Sequence, residues 1–86
     1  MTVKTQTDIE AWLTRELSQR LSIAPSDVGV DVPLSDFGLS SLKAAELITD
    51  LEDWLDFTVP ATAVYSYPTV ETLAQYLAGV SAQVKR

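Results

Sequence analysis

An apolar stripe with the period of an α-helix is the feature that most constrains how this chain folds. Between residues 7 and 21, apolar side chains recur at every fourth position and would stack along one helix face. These side chains are Ile9, Leu13, Leu17 and Leu21, with Trp12 at the edge of the stripe. Thr7 can cap the start, Glu10 can reach back to it, and Asp8 suits the positive helix end. The pattern predicts a first helix over 7–21.

Two further long helices and one short turn follow from the same reasoning. The second helix is predicted over 41–56 and the last over 69–80, where Thr69 can cap it and Pro68 prevents extension backward. The apolar stripe of the last helix consists of Leu73, Leu77 and Val80. Between these helices there is room for one short helical turn, around residues 61–65.

Residues 22–40 are predicted to form a long connection without regular structure for most of its length. Two prolines and two glycines interrupt any periodicity there. Its apolar residues indicate that it packs on the core; they are Ile23, Val28, Val32, Leu34, Phe37 and Leu39. Loops of this length usually have a function. The expected fold is an all-α four-helix bundle, with three main helices and one short helix, in which residues 1–86 form a single domain.

Charge and composition remove several functional classes. A formal charge of −6 argues against nucleic acid and anionic membrane surfaces, and it favours a basic protein partner. The chain has no cysteine and no histidine, which excludes disulfides, the usual zinc sites, thiol nucleophiles and His-based catalysis. A bundle this small also rarely encloses a deep substrate pocket. We therefore expect a protein that is not an enzyme and holds no metal.

The sequence predicts neither a signal peptide at the N-terminus nor a membrane-spanning segment. The N-terminal MTVKTQTDIE lacks the apolar run of a signal peptide, and no segment approaches the roughly 20 apolar residues that cross a bilayer. We expect a cytoplasmic monomer. Met1 and the short C-terminal SAQVKR favour a stand-alone protein, although a trimmed domain would have much the same sequence.

A helical wheel of residues 41–56 gives this helix an acidic outer face. The inner arc holds Ala44, Leu47, Ile48, Leu51, Trp54 and Leu55. The outer arc holds Leu42, Ala45, Glu46, Thr49, Asp50, Glu52 and Asp53. Carboxylates at spacings of three and four repel one another by about 0.2–0.5 kcal/mol per pair, and Lys43 is the only base on the helix. An acidic protein can acquire such a face by composition alone. A docking surface for basic partners, anchored by Leu42, explains both the charge bias and the outward leucine.

Two adjacent serines, Ser40 and Ser41, lie at the head of this helix. A serine in that position is most often an N-cap. However, the surrounding sequence PLSDFGLSSLKAAELITDLEDWL, followed by YSYPTVETLAQYL, resembles the acyl carrier proteins, particularly the carrier domains of polyketide synthases. The resemblance extends from the first helix to about Gly79.

The resemblance implies a small acidic four-helix bundle that is modified on one serine. In the family, the serine of a G-x-D-S-L motif receives 4′-phosphopantetheine from coenzyme A. Gly38 matches the motif glycine, Leu39 follows it, Ser41 matches the modified serine and Leu42 the leucine after it. The reactive thiol then belongs to the prosthetic group, which explains how the chain can function without cysteine.

The resemblance also implies the partners. They are a phosphopantetheinyl transferase, which brings the catalytic base and magnesium, and acyl-loading and synthase enzymes with basic docking patches. Acyl or polyketide intermediates would travel between them as thioesters. The family meets its partners through the start and outer face of the second helix, which is the acidic face defined above.

Two positions depart from the family pattern. Ser40 replaces the usual aspartate, which preserves an N-cap hydroxyl but removes a negative charge beside the attachment point, and Ser66 stands where the polyketide-type motif commonly has aspartate. Modification could then be slower, restricted to one transferase, or absent.

Three alternatives compete with this hypothesis. Attachment to Ser40 would put Ser41 in the place of the motif leucine and shift Leu47 and Leu51 off the core stripe. Peptidyl carriers typically have two glycines followed by His or Asp before the serine, a pattern that GLSS does not match. An unmodified helical interaction module that uses the same acidic face remains the alternative from another functional class.

Overall fold

The computed structural model describes residues 4–60 and 62–84. The four α-helices in this part of the chain are α1 (Gln6–Leu21), α2 (Ser41–Leu55), α3 (Ala63–Ser66) and α4 (Val70–Val84). Two short 3₁₀ helices, Pro25–Asp27 and Leu34–Phe37, lie in the connection between α1 and α2. Over the same residues, the only β-type pairing is one isolated bridge between Pro33 and Thr69. The prediction of an all-α four-helix bundle, with three main helices and one short one, is confirmed.

The prediction that Thr7 caps α1 was wrong, because the helix begins one residue earlier, at Gln6. Thr5 is the N-cap, and its hydroxyl accepts a hydrogen bond from the Asp8 N–H at 3.2 Å. The Asp8 carboxylate accepts one from the Thr5 N–H at 3.1 Å, which completes a reciprocal capping box. Both Thr5 and Thr7 are followed three residues later by a carboxylate, so the sequence offers two equivalent starts. The earlier start adds Gln6 to the helix, where its side-chain amide bonds Glu10 at 3.0 Å.

The predicted stripe of α1 forms the centre of the core. Ile9, Leu13 and Leu17 are fully buried, and Trp12, expected at the edge, is buried as well, whereas Leu21 is only partly buried. α1 packs along α4, whose Leu73 and Leu77 are also fully buried while Val80 is half-buried. On α2 the buried residues are Leu47, Ile48, Leu51 and Leu55. The helical periodicity in the sequence therefore identified the packed faces of all three long helices.

Two indole rings join α1 to α2 away from the two serines. Trp12 and Trp54 stack with their ring centroids 5.4 Å apart and 16° between planes. Trp54 is only partly buried, and the Lys4 ammonium lies 4.7 Å above its ring. This aromatic pair links α1 to the last turn of α2.

The connection between α1 and α2 is more ordered than the sequence predicted. Besides its two 3₁₀ helices, it buries Val28 and Leu34 in the core. Val30 also packs against the core, whereas Val32 is half-buried. Proline and glycine break α-helical periodicity but permit single 3₁₀ turns, which the sequence pattern does not reveal.

The connection is also fixed to the segment that leads into α4. The Leu34 N–H donates to the Pro68 carbonyl at 2.7 Å, and the Glu71 N–H donates to the Val30 carbonyl at 2.9 Å. These two long-range backbone hydrogen bonds hold the chain in place immediately before α2 begins.

Three predicted boundaries change slightly. α2 ends at Leu55, because Asp56 adopts a left-handed conformation at φ 67° as its C-cap. α4 continues to Val84, four residues beyond the predicted end, and Gly79 does not interrupt it. The added turn is held to the bundle at Ser81, which is buried and whose hydroxyl accepts a hydrogen bond from the Lys4 N–H at 3.1 Å. The short helix is Ala63–Ser66, which overlaps the predicted 61–65 region and ends one residue beyond it. Residue 61 lies outside the described residues.

The choice between the two capping threonines gives a testable prediction. Thr5→Ala should destabilise the fold by about 1 kcal/mol, since N-cap substitutions to alanine typically cost 0.5–2 kcal/mol. Thr7→Ala, inside the first turn, should change stability by less than about 0.5 kcal/mol. Urea denaturation of both variants measures the difference. An equal loss for the two would contradict the cap assignment.

The same cap has a pH signature. Hydrogen bonds from the backbone N–H and the side chain of Thr5 lower the pKa of Asp8 below its ordinary value of 3.8. A carboxylate with a lowered folded-state pKa stabilises the fold above its unfolded pKa, and this stabilisation is lost as the pH falls through the folded pKa. Asp8→Asn should therefore destabilise the protein at pH 7, and the effect should fade below pH 3.8.

Candidate functional site

A sharp change of chain direction at Gly38 sets up the start of α2. Gly38 ends the Leu34–Phe37 turn in the left-handed region, at φ 76°, and its N–H donates to the Ser35 carbonyl at 3.2 Å. A Cβ atom at this position would meet nothing within 4 Å. The requirement for glycine here therefore comes from the backbone conformation and not from lack of space.

Ser40 is the N-cap of α2, as expected for a serine that replaces aspartate. Its backbone is extended, at φ −72° and ψ 165°, and its hydroxyl accepts a hydrogen bond from the Lys43 N–H at 3.2 Å. Its carbonyl accepts the Ala44 N–H at 2.9 Å, the first hydrogen bond of the helix. The hydroxyl of Ser40 is therefore committed to the fold.

Ser41 is the first residue of α2 and has no comparable structural duty. Its side chain is exposed, and no residue in the described part of the chain forms a hydrogen bond with its hydroxyl. The two adjacent serines thus differ in what their oxygens do: one closes the helix end, and the other is available to an incoming reagent.

A cleft of about 340 Å³ opens beside Ser41, between the start of α2 and α3. The residues that line it are Leu34, Ser35, Leu39, Ser40, Ser41, Ala44, Leu47, Val64, Tyr65 and Pro68. Most of these side chains are apolar. Tyr65, on α3, is 73% exposed, and sequence reasoning did not single it out. Tyr65 lies in α3, which has only four residues and is too short to show helical periodicity in the sequence.

The electrostatics at the head of α2 suit an anionic group on Ser41. The first turn of α2 contains no acidic side chain. The positive end of the helix dipole and the exposed N–H groups of a first turn favour phosphate. A phosphodiester on the Ser41 oxygen, with a flexible chain able to reach the apolar cleft, is compatible with the residues present.

The outer face of α2 is exposed over most of its predicted length. Leu42 is 70% exposed, an unusual position for a leucine. The other exposed members of the predicted face are Ala45, Glu46, Thr49, Asp50 and Asp53. The Thr49 hydroxyl donates to the Ala45 carbonyl at 3.0 Å and so bonds within the helix. An apolar centre with flanking carboxylates is therefore presented to solvent.

One carboxylate of this face is paired with a base from α1. The Arg20 guanidinium forms an ion pair with Asp50, and a second with Glu16 at 3.2 Å. Burial lowers the pKa of Arg20, but the hydrogen bonds to Asp50 and Glu16 outweigh it and raise the pKa above its ordinary value. The repulsion expected between Asp50 and its neighbours on α2 is thus partly neutralised from another helix.

Glu52 is also engaged within the fold. Its carboxylate accepts a hydrogen bond from the Val59 N–H at 2.6 Å, and the residue is half-buried. Among the carboxylates of the predicted face, Glu52 therefore differs from Glu46 and Asp53, which extend into solvent.

Sequence reasoning missed both of these partners. The spacing of Glu16 and Arg20 is a recognisable i,i+4 pair on α1, but nothing in the sequence indicates that Arg20 also reaches α2. Glu52 is bound by the backbone N–H of Val59, so no side chain in the sequence indicates this contact.

Two kinds of site are absent from residues 4–60 and 62–84. No group of three or more acidic side chains there is arranged to hold a metal ion. No helix in these segments is long and apolar enough to cross a membrane.

Comparison with known proteins decides the family. Residues 11–77 match the family described as "Phosphopantetheine attachment site". The chain belongs to this family. Members of this family are carrier proteins and not enzymes, and they bear covalent 4′-phosphopantetheine. The predictions that the chain is not an enzyme and that its prosthetic group is 4′-phosphopantetheine are confirmed.

Two curated relatives show the range of proteins that contain such a carrier. Over 73 residues, or 85% of this chain, it is 30% identical to a phenolphthiocerol/phthiocerol polyketide synthase of Mycobacterium tuberculosis, and it spans only 4% of that protein. Over 74 residues it is 27% identical to the acyl carrier protein TtuC of Teredinibacter turnerae, covering 86% of this chain and 85% of TtuC. The carrier is thus similar to polyketide synthase domains and to a small separate protein.

A solved structure shares the fold closely. Asl1650 of Anabaena sp. PCC 7120, an acyl carrier protein with a variant phosphopantetheinylation-site sequence, superposes with a TM-score of 0.86 at 28% identity. The match covers 94% of this chain and 92% of that one. The carrier bundle is therefore the same in both proteins.

The cap at Ser40 yields a stability prediction. Ser40→Ala should destabilise the carrier by about 1 kcal/mol, because α2 loses its side-chain cap. Ser40→Asp should be within about 0.5 kcal/mol of the wild type, since aspartate caps equally well. Thermal unfolding followed by circular dichroism measures both. Equal stability of the alanine and aspartate variants would show that the Ser40 hydroxyl does not support the helix.

Proposed function

We propose that this carrier bears 4′-phosphopantetheine on Ser41 and carries acyl or polyketide intermediates on it as thioesters. The observation that supports this most directly is the contrast between the two serines. Ser40 uses its hydroxyl to cap α2, whereas the Ser41 hydroxyl is exposed at the positive end of the same helix.

Attachment would form one bond on the protein. The Ser41 Oγ would bond to the phosphorus of coenzyme A that bears pantetheine and become one ester oxygen of a phosphodiester. The pyrophosphate P–O bond would break, adenosine 3′,5′-bisphosphate would leave, and the serine proton would pass to a base that the transferase provides. The attached group supplies a terminal thiol on a mobile arm. The carrier's own residues hold the anionic phosphodiester at the helix start and offer the cleft beside it to the chain that follows.

The carrier would present its cargo through the acidic face of α2. The proposed docking residues are Leu42, Ala45, Glu46, Thr49, Asp50, Glu52 and Asp53. The exposure of Leu42 and the excess of carboxylates around it support an apolar anchor with electrostatic steering toward basic surfaces. The partners would be a phosphopantetheinyl transferase and acyl-loading and synthase enzymes. That a related sequence occurs within a polyketide synthase supports this assignment.

The absence of aspartate before Ser41 lowers the charge at the site without removing the cap. We expect modification to proceed, because the helix start is intact and Ser41 remains exposed. The similarity to Asl1650, an acyl carrier protein with a variant phosphopantetheinylation-site sequence, supports tolerance of changes in the attachment-site sequence.

The remaining proposals concern the unit as a whole. Residues 1–86 would form a single carrier domain that acts as a monomer in the cytoplasm. The family match over 11–77, which takes in most of α1, all of α2 and α3 and the first half of α4, supports one undivided domain.

Intact-protein mass spectrometry tests the attachment site. After incubation with coenzyme A, magnesium and a broad-specificity phosphopantetheinyl transferase, the wild type should gain one phosphopantetheine. Ser41→Ala should gain none while keeping its helical circular dichroism, because Ser41 is exposed and makes no structural hydrogen bond.

Variants at Ser40 are the matched controls. Ser40→Ala should still be modified, and Ser40→Asp should be modified at least as fast as the wild type, because the aspartate adds back a charge at the site. Modification of Ser41→Ala would move the attachment point to Ser40. A wild type that is never modified would instead favour the unmodified interaction module.

Electrostatic docking predicts a salt-dependent association. The association rate with the transferase should fall as salt rises from about 50 to about 500 mM, since exposed charges are screened over about 8 Å at physiological ionic strength. Glu46→Lys should lower the association rate more than Asp31→Lys does. Asp31 is the control because it is also exposed but lies in the connection outside α2. Stopped-flow fluorescence measures these rates. If both charge reversals lowered the association rate equally, the net charge of the carrier, and not the acidic face of α2, would determine that rate.

A further inference from the structure

The last turn of α1 places a cation on the docking face of α2. Arg20 forms ion pairs with Asp50 on α2 and with Glu16 on its own helix, the latter at 3.2 Å. A shallow depression of about 430 Å³ lies at this point, lined by Arg20, Ala45, Glu46, Thr49 and Asp50. Four of these five residues belong to the proposed docking face, and the fifth is the arginine.

The two partners of this ion pair are unequally exposed. The Arg20 side chain is 23% exposed and that of Asp50 is 51% exposed. A partner can therefore approach Asp50 directly, while the base that neutralises it lies mostly beneath the surface. A basic side chain arriving at the depression would meet a carboxylate that already has a counter-ion.

Arg20 is held by strong contacts but is not fully satisfied. Its Nε atom is buried and has no hydrogen-bond partner among the described residues. A buried N–H without a partner has lost its hydration without compensation. Movement of the guanidinium into solvent would restore that hydration and offset part of the lost ion pair. The contact with Asp50 is thus one that a competitor can replace.

We propose that Arg20 determines specificity by competing with basic partner residues for Asp50. This inference rests on the proposed docking function of α2. A partner that contacts only Leu42 and Glu46 would bind without disturbing the pair. A partner that places an arginine or lysine over the Thr49–Asp50 position must displace Arg20 first, which weakens its binding. The internal arginine therefore selects among basic surfaces according to where their charge lies.

The test measures binding of the full-length carrier to a broad-specificity phosphopantetheinyl transferase by isothermal titration calorimetry. Arg20→Gln should tighten the Kd about two- to fivefold, which is the range expected when a partly exposed ion pair no longer competes. Arg15→Gln is the matched control. It removes the same charge from the same helix, but the Arg15 side chain is 61% exposed, and its only ion pair within the described residues is with Glu16, at 3.9 Å.

A double-mutant cycle separates competition from net charge. In an Asp50→Asn background, Arg20→Gln should give no more tightening than Arg15→Gln, because the contested carboxylate is gone. Equal tightening by Arg20→Gln and Arg15→Gln in the wild type would overturn the proposal. So would a gain from Arg20→Gln that survives in Asp50→Asn, or no gain at all. Circular dichroism of each variant checks that the bundle is folded.

Glu46→Lys distinguishes failure of this inference from failure of the docking proposal. If Glu46→Lys weakens binding and Arg20→Gln leaves it unchanged, the acidic face binds the transferase without competition from Arg20. If neither changes the Kd, the docking proposal itself fails, and this inference fails with it.

Discussion

The site depends on two backbone hydrogen bonds that join segments far apart in sequence. The Leu34 N–H to Pro68 carbonyl bond and the Glu71 N–H to Val30 carbonyl bond tie the long connection to the start of α4. They fix the chain just ahead of the left-handed turn at Gly38, and that turn orients the first residues of α2. Because loop closure costs entropy that grows with loop length, a connection this long stays ordered only if such contacts compensate for it. Without them the serines would lie on a mobile segment with no defined cleft beside them.

The adjacent serines show how one helix start can hold a capping hydroxyl beside an exposed one. The first N–H groups of a helix have no partners within it, and one hydroxyl at the N-cap satisfies the N–H three residues later. Ser40 has that duty, which leaves Ser41 at the first helical position, exposed and near the positive helix end. A serine in place of aspartate keeps the cap and gives up a charge. The substitution is therefore nearly neutral for the fold, and under the proposed function its consequences would fall on recognition by the transferase.

Periodicity and capping rules predicted the parts of this structure that are encoded locally. The stripe through Ile9, Leu13 and Leu17 and the cap at Ser40 require only neighbouring residues, and both are present. The choice between Thr5 and Thr7 could not be made from the sequence, because each has a carboxylate three residues later. Contacts such as Arg20 with Asp50 join positions thirty residues apart and follow from how two helices pack, which no local pattern specifies.

These tertiary contacts make the carboxylates of the acidic face unequal in their availability to a partner. On a helical wheel its carboxylates are equivalent, but in the bundle Asp50 pairs with Arg20 and Glu52 binds the Val59 N–H. Leu42 and Glu46 lie within about a turn and a half of Ser41, whereas Asp50 lies about two and a half turns along. Glu46, the carboxylate of this face nearest Ser41, is therefore free for a partner, while much of the charge farther along also holds α1 and the chain after α2 in place. Under the proposed attachment to Ser41, an enzyme that acts on the cargo would approach from the end of the helix where binding disturbs the fold least.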